Sequence, residues 1–253
     1  MKQSVAELFA PEDGCGFIPL LWGGRKEGPA EVAARASATM SALVDPVPTS
    51  PDVELFWMRI ADDGLGYCPA PSTMSDLEEL AIVETGRDVN QNLSGPTTLH
   101  FMLFAGDTDS GLLASFSLSA GAEDNYVGNN CTVTLEQRYP AGSADAIKDL
   151  FKALVRIWQP ESAILCTDRT IAEIGDLYDT YAAYASWISR GTFGLPPQLN
   201  SATAEQFGDG TLLSATVWTV DGVQRMHQEL RAEGVPSLGT AAEVQVAPQF
   251  PSQ

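Results

Sequence analysis

The sequence predicts a single α+β domain, in which a mainly antiparallel sheet is flanked by amphipathic helices. Three stretches with the helical spacing of apolar residues lie at about residues 29–44, 143–158 and 222–232. Between the first two lies a series of short apolar runs separated by turns, which is typical of hairpins. Because the strands and helices are segregated and do not alternate strictly, the pattern favours an α+β fold over a doubly wound parallel sheet.

The helix at residues 143–158 is the clearest structural signal in the chain. Ser143 is a suitable N-cap, and Pro160 ends the helix because proline has no N–H to donate. The short apolar run from Ala163 to Cys166 then predicts a buried strand. The apolar residues of the helix form one broad stripe that predicts packing on the core: Ile147, Leu150, Phe151, Leu154, Val155 and Trp158.

The first part of the chain is expected to contain two strands and two helices. Gly16–Trp22 is a short apolar run, and Pro19 within it predicts an edge strand because proline cannot donate to a ladder. Pro29 stands at the favoured first position of the first long helix. Val53–Ile60 has the composition of a strand, and residues 76–84 that of a short helix.

The middle of the chain predicts a hairpin and a third strand. Thr97–Ala105 and Leu112–Ser119 are apolar runs separated by the turn sequence GDTDSG, and Asn130–Gln137 is the third run. In the second run apolar residues alternate with mostly serine, so one face is expected to be buried and the other wet.

Towards the C-terminus, Tyr181–Ser189 fits either a strand or a helix, whereas Thr211–Val220 is a strong strand prediction before the last helix. No internal repeat or linker requires a second domain. The domain is therefore expected to cover residues 16–234, with residues 1–15 as a mobile lead and residues 235–253 as a loose tail.

The chain is strongly acidic, with 14 Lys and Arg against 33 Asp and Glu, a formal net charge of −19 and a pI near 4.2. Such a field repels nucleic-acid phosphates and anionic membranes and attracts basic partners. Solubility alone is the commoner explanation of acidity. The sequence shows no signal peptide and no apolar run near the roughly 20 residues of a membrane span, so a cytoplasmic location is expected.

The sequence contains no common catalytic or cofactor-binding motif. GxSxG, GxxxxGK[ST], HExxH and GxGxxG after a strand are all absent. His100 and His227 each stand alone, and the four cysteines are scattered, so neither a metal site nor a disulfide framework is predicted. We therefore expect no cofactor, no metal and no catalytic residue.

Asp107 and Asp109 form the one carboxylate pair that suggests chemistry. Asp109-Ser110-Gly111 is similar to an aspartic-protease triplet, but that mechanism needs a second carboxylate sharing the proton, and the chain has no second triplet. The pair also has the composition of a weak divalent-cation site. A hairpin turn explains the same residues more simply. An acidic hydrolase at this pair is nevertheless kept as the enzyme alternative.

Acidic residues also cluster in other predicted loops. Any one cluster is explained by an ordinary solvated turn, but together they indicate a surface that meets a basic partner. The predicted binding residues are Asp62, Asp63, Asp107, Asp109, Glu123 and Asp124.

Four segments, taken in chain order, have the pattern of a known family. They are LWGGRKEGPAEVAARASATMSALVDP, IWQPESAIL, YASWISRGTFGLPPQL and GDGTLLSAT. Over about residues 17–234 the chain thereby resembles the immunity protein 52 family of bacterial polymorphic-toxin systems. It departs from that pattern at Ala185-Ser186-Trp187, where a Gly-Trp pair is expected, and beyond Leu238.

The resemblance implies an antidote that binds and neutralises a cognate toxin delivered between competing bacteria by contact-dependent systems such as type VI secretion. The usual toxins of the family resemble nucleases of the restriction-endonuclease fold, and an acidic antidote suits a basic nuclease cleft. On this hypothesis the acidic loops bind the toxin and the protein is not an enzyme. A further alternative is an adaptor that binds an effector for secretion without neutralising it.

Overall fold

The structure, a computed structural model, describes residues 3–48, 53–61, 64–124, 128–174, 182–235 and 245–246. Its helices are α1 (Val5–Leu8), α2 (Pro29–Val44), α3 (Met74–Val83), α4 (Ala144–Trp158), α5 (Asp168–Ile174), α6 (Arg190–Phe193) and α7 (Val220–Ala232). Its strands are β1 (Gly16–Trp22), β2 (Arg25–Lys26), β3 (Leu55–Ile60), β4 (Tyr67–Pro69), β5 (Thr85–Arg87), β6 (Leu93–Ala105), β7 (Leu112–Ala120), β8 (Asn129–Leu135), β9 (Ser162–Thr167), β10 (Ala185–Ser189), β11 (Ala202–Phe207), β12 (Gly210–Ala215) and β13 (Gln245–Val246).

Among the described residues, eleven strands form one sheet in the order β11-β12-β10-β9-β1-β8-β7-β6-β3-β4, with β5 paired to β6. Every pairing in this sheet is antiparallel. The short strands β2 and β13 form a separate parallel pair. The predicted α+β class with a mainly antiparallel sheet is confirmed.

β1 lies in the middle of the sheet, so the prediction of an edge strand was wrong. It pairs with β8 along its whole length and with β9 on its other side. The ladder with β9 has no paired positions at Ile18 and Pro19, whereas Pro19 does pair with Thr132 of β8. Proline is tolerated here because the missing N–H falls where the β9 ladder is interrupted.

The three helices α2, α3 and α4 pack on the sheet as the amphipathic patterns predict. The hydroxyl of Ser143 accepts the N–H of Ala146 at 3.2 Å, which caps α4. All six stripe residues of α4 are buried, and Leu154 and Trp158 are fully so. α2 contacts both α3 and α4, and α4 contacts β1. This packing brings the end of α4 close to the end of β1.

The two ends of the chain are described to different extents. Residues 3–15, expected to be a mobile lead, pack on the domain: Val5 is fully buried, and the Phe9 ring lies 4.5 Å from that of Tyr184. Of the predicted tail at residues 235–253, only Val235 and the backbone of β13 lie within the described residues. No helix in the described ranges is long and apolar enough to cross a membrane.

Candidate functional site: a pocket at one end of the sheet strands

Asp107 is part of a closed turn between β6 and β7. Its carboxylate accepts the N–H of Asp109 at 3.0 Å, the N–H of Ser110 at 2.7 Å and the hydroxyl of Ser110 at 3.0 Å. These hydrogen bonds, the one from the Ser110 N–H foremost, hold the pKa of Asp107 below its usual range. A structural hairpin turn, the simplest of the three interpretations, accounts for these hydrogen bonds.

The two predicted acidic pairs that the structure describes do not come together. β7 runs from the Asp107–Asp109 turn to the loop that holds Glu123 and Asp124, and its nine residues span roughly 30 Å. Glu123 lies 3.8 Å from Lys26, with both side chains largely exposed. Asp62 and Asp63 lie outside the described residues. The two pairs that are described therefore cannot contact one small ligand together.

The Glu123 end of the strands also holds a pocket of about 580 Å³, a volume typical of ligand sites. Because neighbouring strands are antiparallel, the last residues of β1 and β10 meet the first residues of β9 and β12 here. The lining comes from residues 22–25, residues 155–156 and 159–161 around the end of α4, Trp187 and Ser189 of β10, and residues 206–209 at the turn from β11 to β12.

The sharp end of α4 positions one wall of the pocket. Gln159 adopts a left-handed conformation, with φ 46° and ψ 56°, and Pro160 prevents the helix from continuing. The backbone of Glu161 then bridges two strands, because its N–H donates to the carbonyl of Leu21 at 2.8 Å and its carbonyl accepts the N–H of Ser189 at 2.9 Å. This wall of the pocket is thereby fixed by backbone hydrogen bonds.

Behind the pocket lies a buried ion cluster of Arg25, Glu27 and Arg35. Oε1 of Glu27 lies 3.1 Å from Nη2 of Arg25 and 2.9 Å from Nε of Arg35, and the exposed fraction of all three side chains is at most 3%. Burial lowers the pKa of both arginines, and the Glu27 charge opposes that effect. A cluster of this kind is strongly weakened when one partner is removed, because a buried charge then has no counter-charge.

The same arginines bind the last carbonyl groups of α4. Arg25 donates to the carbonyls of Trp158 and Gln159, each at 2.8 Å, and Arg35 donates to the carbonyl of Ile157. Carbonyl groups at a helix C-terminus have no partner within the helix and carry partial negative charge, which favours a cation. Arg25 of the GGRKEG segment after β1 is therefore buried because it binds the end of a helix more than 130 residues later.

Aromatic side chains form much of the pocket wall. Trp22 lines the pocket, and its ring stacks at 5.5 Å on that of Trp158, which is fully buried outside the lining. The Arg25 guanidinium lies 4.7 Å from the centre of the Trp22 ring. On the opposite side, the indole N–H of Trp187 donates to the carbonyl of Phe207 at 3.1 Å. Gly210 permits this contact, since a Cβ there would lie 2.6 Å from Cζ2 of the Trp187 indole.

The mouth of the pocket is formed by Arg156, Gln206 and Asp209, all of which are exposed. The Arg156 guanidinium lies 4.7 Å from the centre of the Phe207 ring, a cation–π contact. The pocket is lined by two arginines and by two acidic residues, so the formal charges of its lining cancel. It is a mixed site with apolar walls and a few polar groups, as binding pockets commonly are.

Neither histidine lines this pocket. Burial lowers the pKa of both His100 and His227, and in His227 the charge of Arg231 adds to the effect. No group of three or more His, Cys, Asp and Glu side chains suited to a metal ion occurs in the described ranges. The site therefore offers binding chemistry through its walls, backbone and paired charges.

Sequence reasoning placed the site in the acidic turns and missed this pocket. Each of the four segments on which the predicted family resemblance rests nevertheless contributes to the pocket lining, through Trp22, Gln159, Trp187 and Asp209 respectively. The available signal was that each segment holds a tryptophan or a Gly-rich turn beside an apolar strand. What the sequence did not provide was the sheet order that brings those strand ends together.

Comparisons with known proteins do not assign a family. No family model matches the sequence, and no curated protein matches it. Among solved structures, the Pseudomonas aeruginosa T6SS protein PA0821 is similar, with a TM-score of 0.49 and 10% identity over 79% of this chain and 68% of that chain. This neighbour is distant. The predicted membership of the immunity protein 52 family is not shown by these comparisons.

Proposed function

We propose that this chain is an immunity protein that binds a cognate toxin and neutralises it by occluding the toxin's active site or substrate cleft. The observation that supports this proposal most directly is the meeting of the four resemblance segments at one pocket. They are far apart in sequence and contain no catalytic motif. Segments of this kind that meet in space are suited to forming a recognition surface.

The proposed mode of action is stoichiometric binding and not catalysis. The enzyme alternative depends on Asp107 and Asp109. The described contacts of Asp107 are hydrogen bonds within its own turn, and they favour its ionised form, which suits a structural carboxylate and not a general acid. This weighs against a hydrolase at the turn. We propose that the protein acts in the cytoplasm, where an incoming toxin would meet it.

The proposed toxin has a basic surface, and a nuclease of the restriction-endonuclease fold fits best. A net charge of −19 accelerates encounters with a basic cleft that normally binds phosphates. Glu123 and Asp124 lie at the same end of the strands as the pocket, so they are placed to steer such a partner towards it. The pocket then supplies the desolvated centre that most binding energy requires.

The proposal is tested by co-expressing this chain with a candidate nuclease toxin domain of the restriction-endonuclease fold. Cells that express the toxin domain are expected to grow only when this chain is co-expressed, and the two proteins are expected to copurify. In a nuclease assay, inhibition should be complete at about one equivalent of this chain. Copurification without any loss of toxicity would instead support the adaptor, and repeated inactivation of toxin by one molecule of this chain would support an enzyme.

A further inference from the structure

Two buried N–H groups beside the pocket have no acceptor among the described residues. They are Nε1 of Trp22 and Nε of Arg25, and the two residues are 1% and 3% exposed. Buried donors are nearly always paired, because leaving one unpaired costs free energy. Both residues line the pocket, and the guanidinium lies 4.7 Å from the Trp22 ring centre. Among the described residues these two donors lack an acceptor, which an oxygen atom in the pocket would supply.

The charges around the floor favour an uncharged occupant. Glu27 and Glu161 both oppose the charge of Arg25, and its Nη1 and Nη2 groups already bind helix carbonyls. An anion would also meet Glu161 and Asp209 in a chain of net charge −19. A cation would meet Arg156 at the mouth and two donors at the floor, which present positive charge.

The shape and composition of the walls favour a planar group. Trp22, Trp187 and Phe207 provide aromatic surface, and Val155 and Pro160 provide aliphatic surface. A planar side chain with an apolar body and one polar tip satisfies both the walls and the floor. Tyrosine has this form and is among the side chains most enriched at the centres of protein interfaces.

We propose that the pocket receives a tyrosine side chain of the partner protein, with the phenol oxygen accepting hydrogen bonds from Trp22 and Arg25. This inference deepens the proposed function, on which it rests for the identity of the partner. The chemistry of the pocket itself is independent of the partner and can be measured on this chain alone.

The test is a titration of this chain with side-chain analogues, followed by the indole N–H signals in a ¹H–¹⁵N spectrum. The chain has five tryptophans. With 4-methylphenol, the Trp22 signal is expected to move downfield as its N–H gains an acceptor. The Trp158 signal serves as the internal control, because its N–H already donates to Thr39 at 2.9 Å. Toluene, which lacks the oxygen, should bind about 2- to 10-fold more weakly.

Two results would overturn the inference. One is tighter binding of acetate or n-propylguanidinium than of 4-methylphenol, which would show a charged occupant. The other is equal binding of toluene and 4-methylphenol, or a Trp22 signal that does not move at saturation, which would show that the floor donors take no acceptor.

A matched pair of variants locates the binding. Gln206→Trp fills the pocket mouth and should abolish the shift, whereas Ala204→Trp, also exposed on β11 but outside the pocket, should preserve it. Retained binding in Gln206→Trp would place the analogue elsewhere and overturn the assignment. If Gln206→Trp does not fold, the wild-type titration still decides. If the wild-type chain binds 4-methylphenol as expected but does not protect cells from the toxin, that result would count against the proposed function and not against this site.

Discussion

Arg25 donates a hydrogen bond of 2.8 Å to the carbonyl of Trp158, across 133 residues of sequence. This contact joins β2 to the last turn of α4, and the Trp22 and Trp158 rings stack beside it at 5.5 Å. Glu27 pairs with both Arg25 and Arg35. The pocket and the contact between α2 and α4 therefore depend on one cluster, so a change in the cluster should affect both stability and binding.

Glu27→Gln should destabilise the fold by about 3–5 kcal/mol, because it removes the one carboxylate that contacts both buried arginines. Urea unfolding measures this loss. The matched control is Glu123→Gln, since that carboxylate is 59% exposed and its ion pair with Lys26 is long, at 3.8 Å. The control should be nearly as stable as the wild type. Equal stability of the two variants would show that the buried cluster does not hold the fold.

Leu154→Ala should cost about 2–5 kcal/mol, because Leu154 is fully buried on the core side of α4. Asp149→Ala on the exposed side of the same helix is the control, and it should leave the thermal melting temperature almost unchanged. A melting temperature unaffected by Leu154→Ala would place this face of the helix at the surface.

Cys15 should react slowly with iodoacetamide at pH 8. Burial, together with the charge and hydrogen bond of Glu136, raises the pKa of its thiol to about 11, and only the thiolate reacts. The rate should rise steeply as the pH approaches 11. Glu136→Gln removes a cause of the shift and should speed the reaction. The pKa of the Cys15 thiol is higher in the folded protein than in the unfolded protein. Ionisation of this thiol therefore makes the fold less stable as the pH rises from about 9 towards 11.

Site-resolved mass spectrometry measures the labelling of Cys15. Cys131 and Cys166 are buried and should stay unlabelled until the protein unfolds, which provides an internal control. A Cys15 rate at pH 8 equal to that of the urea-unfolded chain would contradict the predicted shift.

Association with the toxin should slow as salt rises, because surface charges act mainly on the encounter rate. Removing charge near the pocket should matter more than removing it at the far end of β7. The double variant Glu123→Gln with Asp124→Asn should therefore lower the on-rate more than Asp107→Asn with Asp109→Asn. Stopped-flow association at two salt concentrations measures both. Identical on-rates for the two double variants, or no dependence on salt, would exclude steering towards this end of the strands.

The sequence predicted the elements of the fold better than their arrangement. The stripe in α4 and the alternation in β7 follow from local periodicity, and both were located closely. The central position of β1 was missed because Pro19 forbids one hydrogen bond, whereas the structure interrupts the ladder with β9 at that point. Local rules do not show which of two neighbouring strands needs the missing donor.

The site was harder to predict for a related reason. Arg25 and Glu27 appear in the sequence as ordinary charged residues of a loop, and only the distant end of α4 shows why they are buried. The acidic pairs were visible as clusters, but strand direction places Asp107 and Glu123 about one strand length apart. A site assembled from strand ends needs the sheet order, which local patterns do not contain.

The toxin affinity of two variants tests most directly whether the pocket end of the strands is the toxin-binding face. Gln206→Trp, which obstructs the pocket mouth, should weaken binding at least about 30-fold, the loss expected when an interface anchor worth about 2 kcal/mol is removed. Ala204→Trp, on the same strand outside the pocket, should bind within about twofold of the wild type. Equal toxin affinity for both folded variants would contradict the account and place the interface on another face.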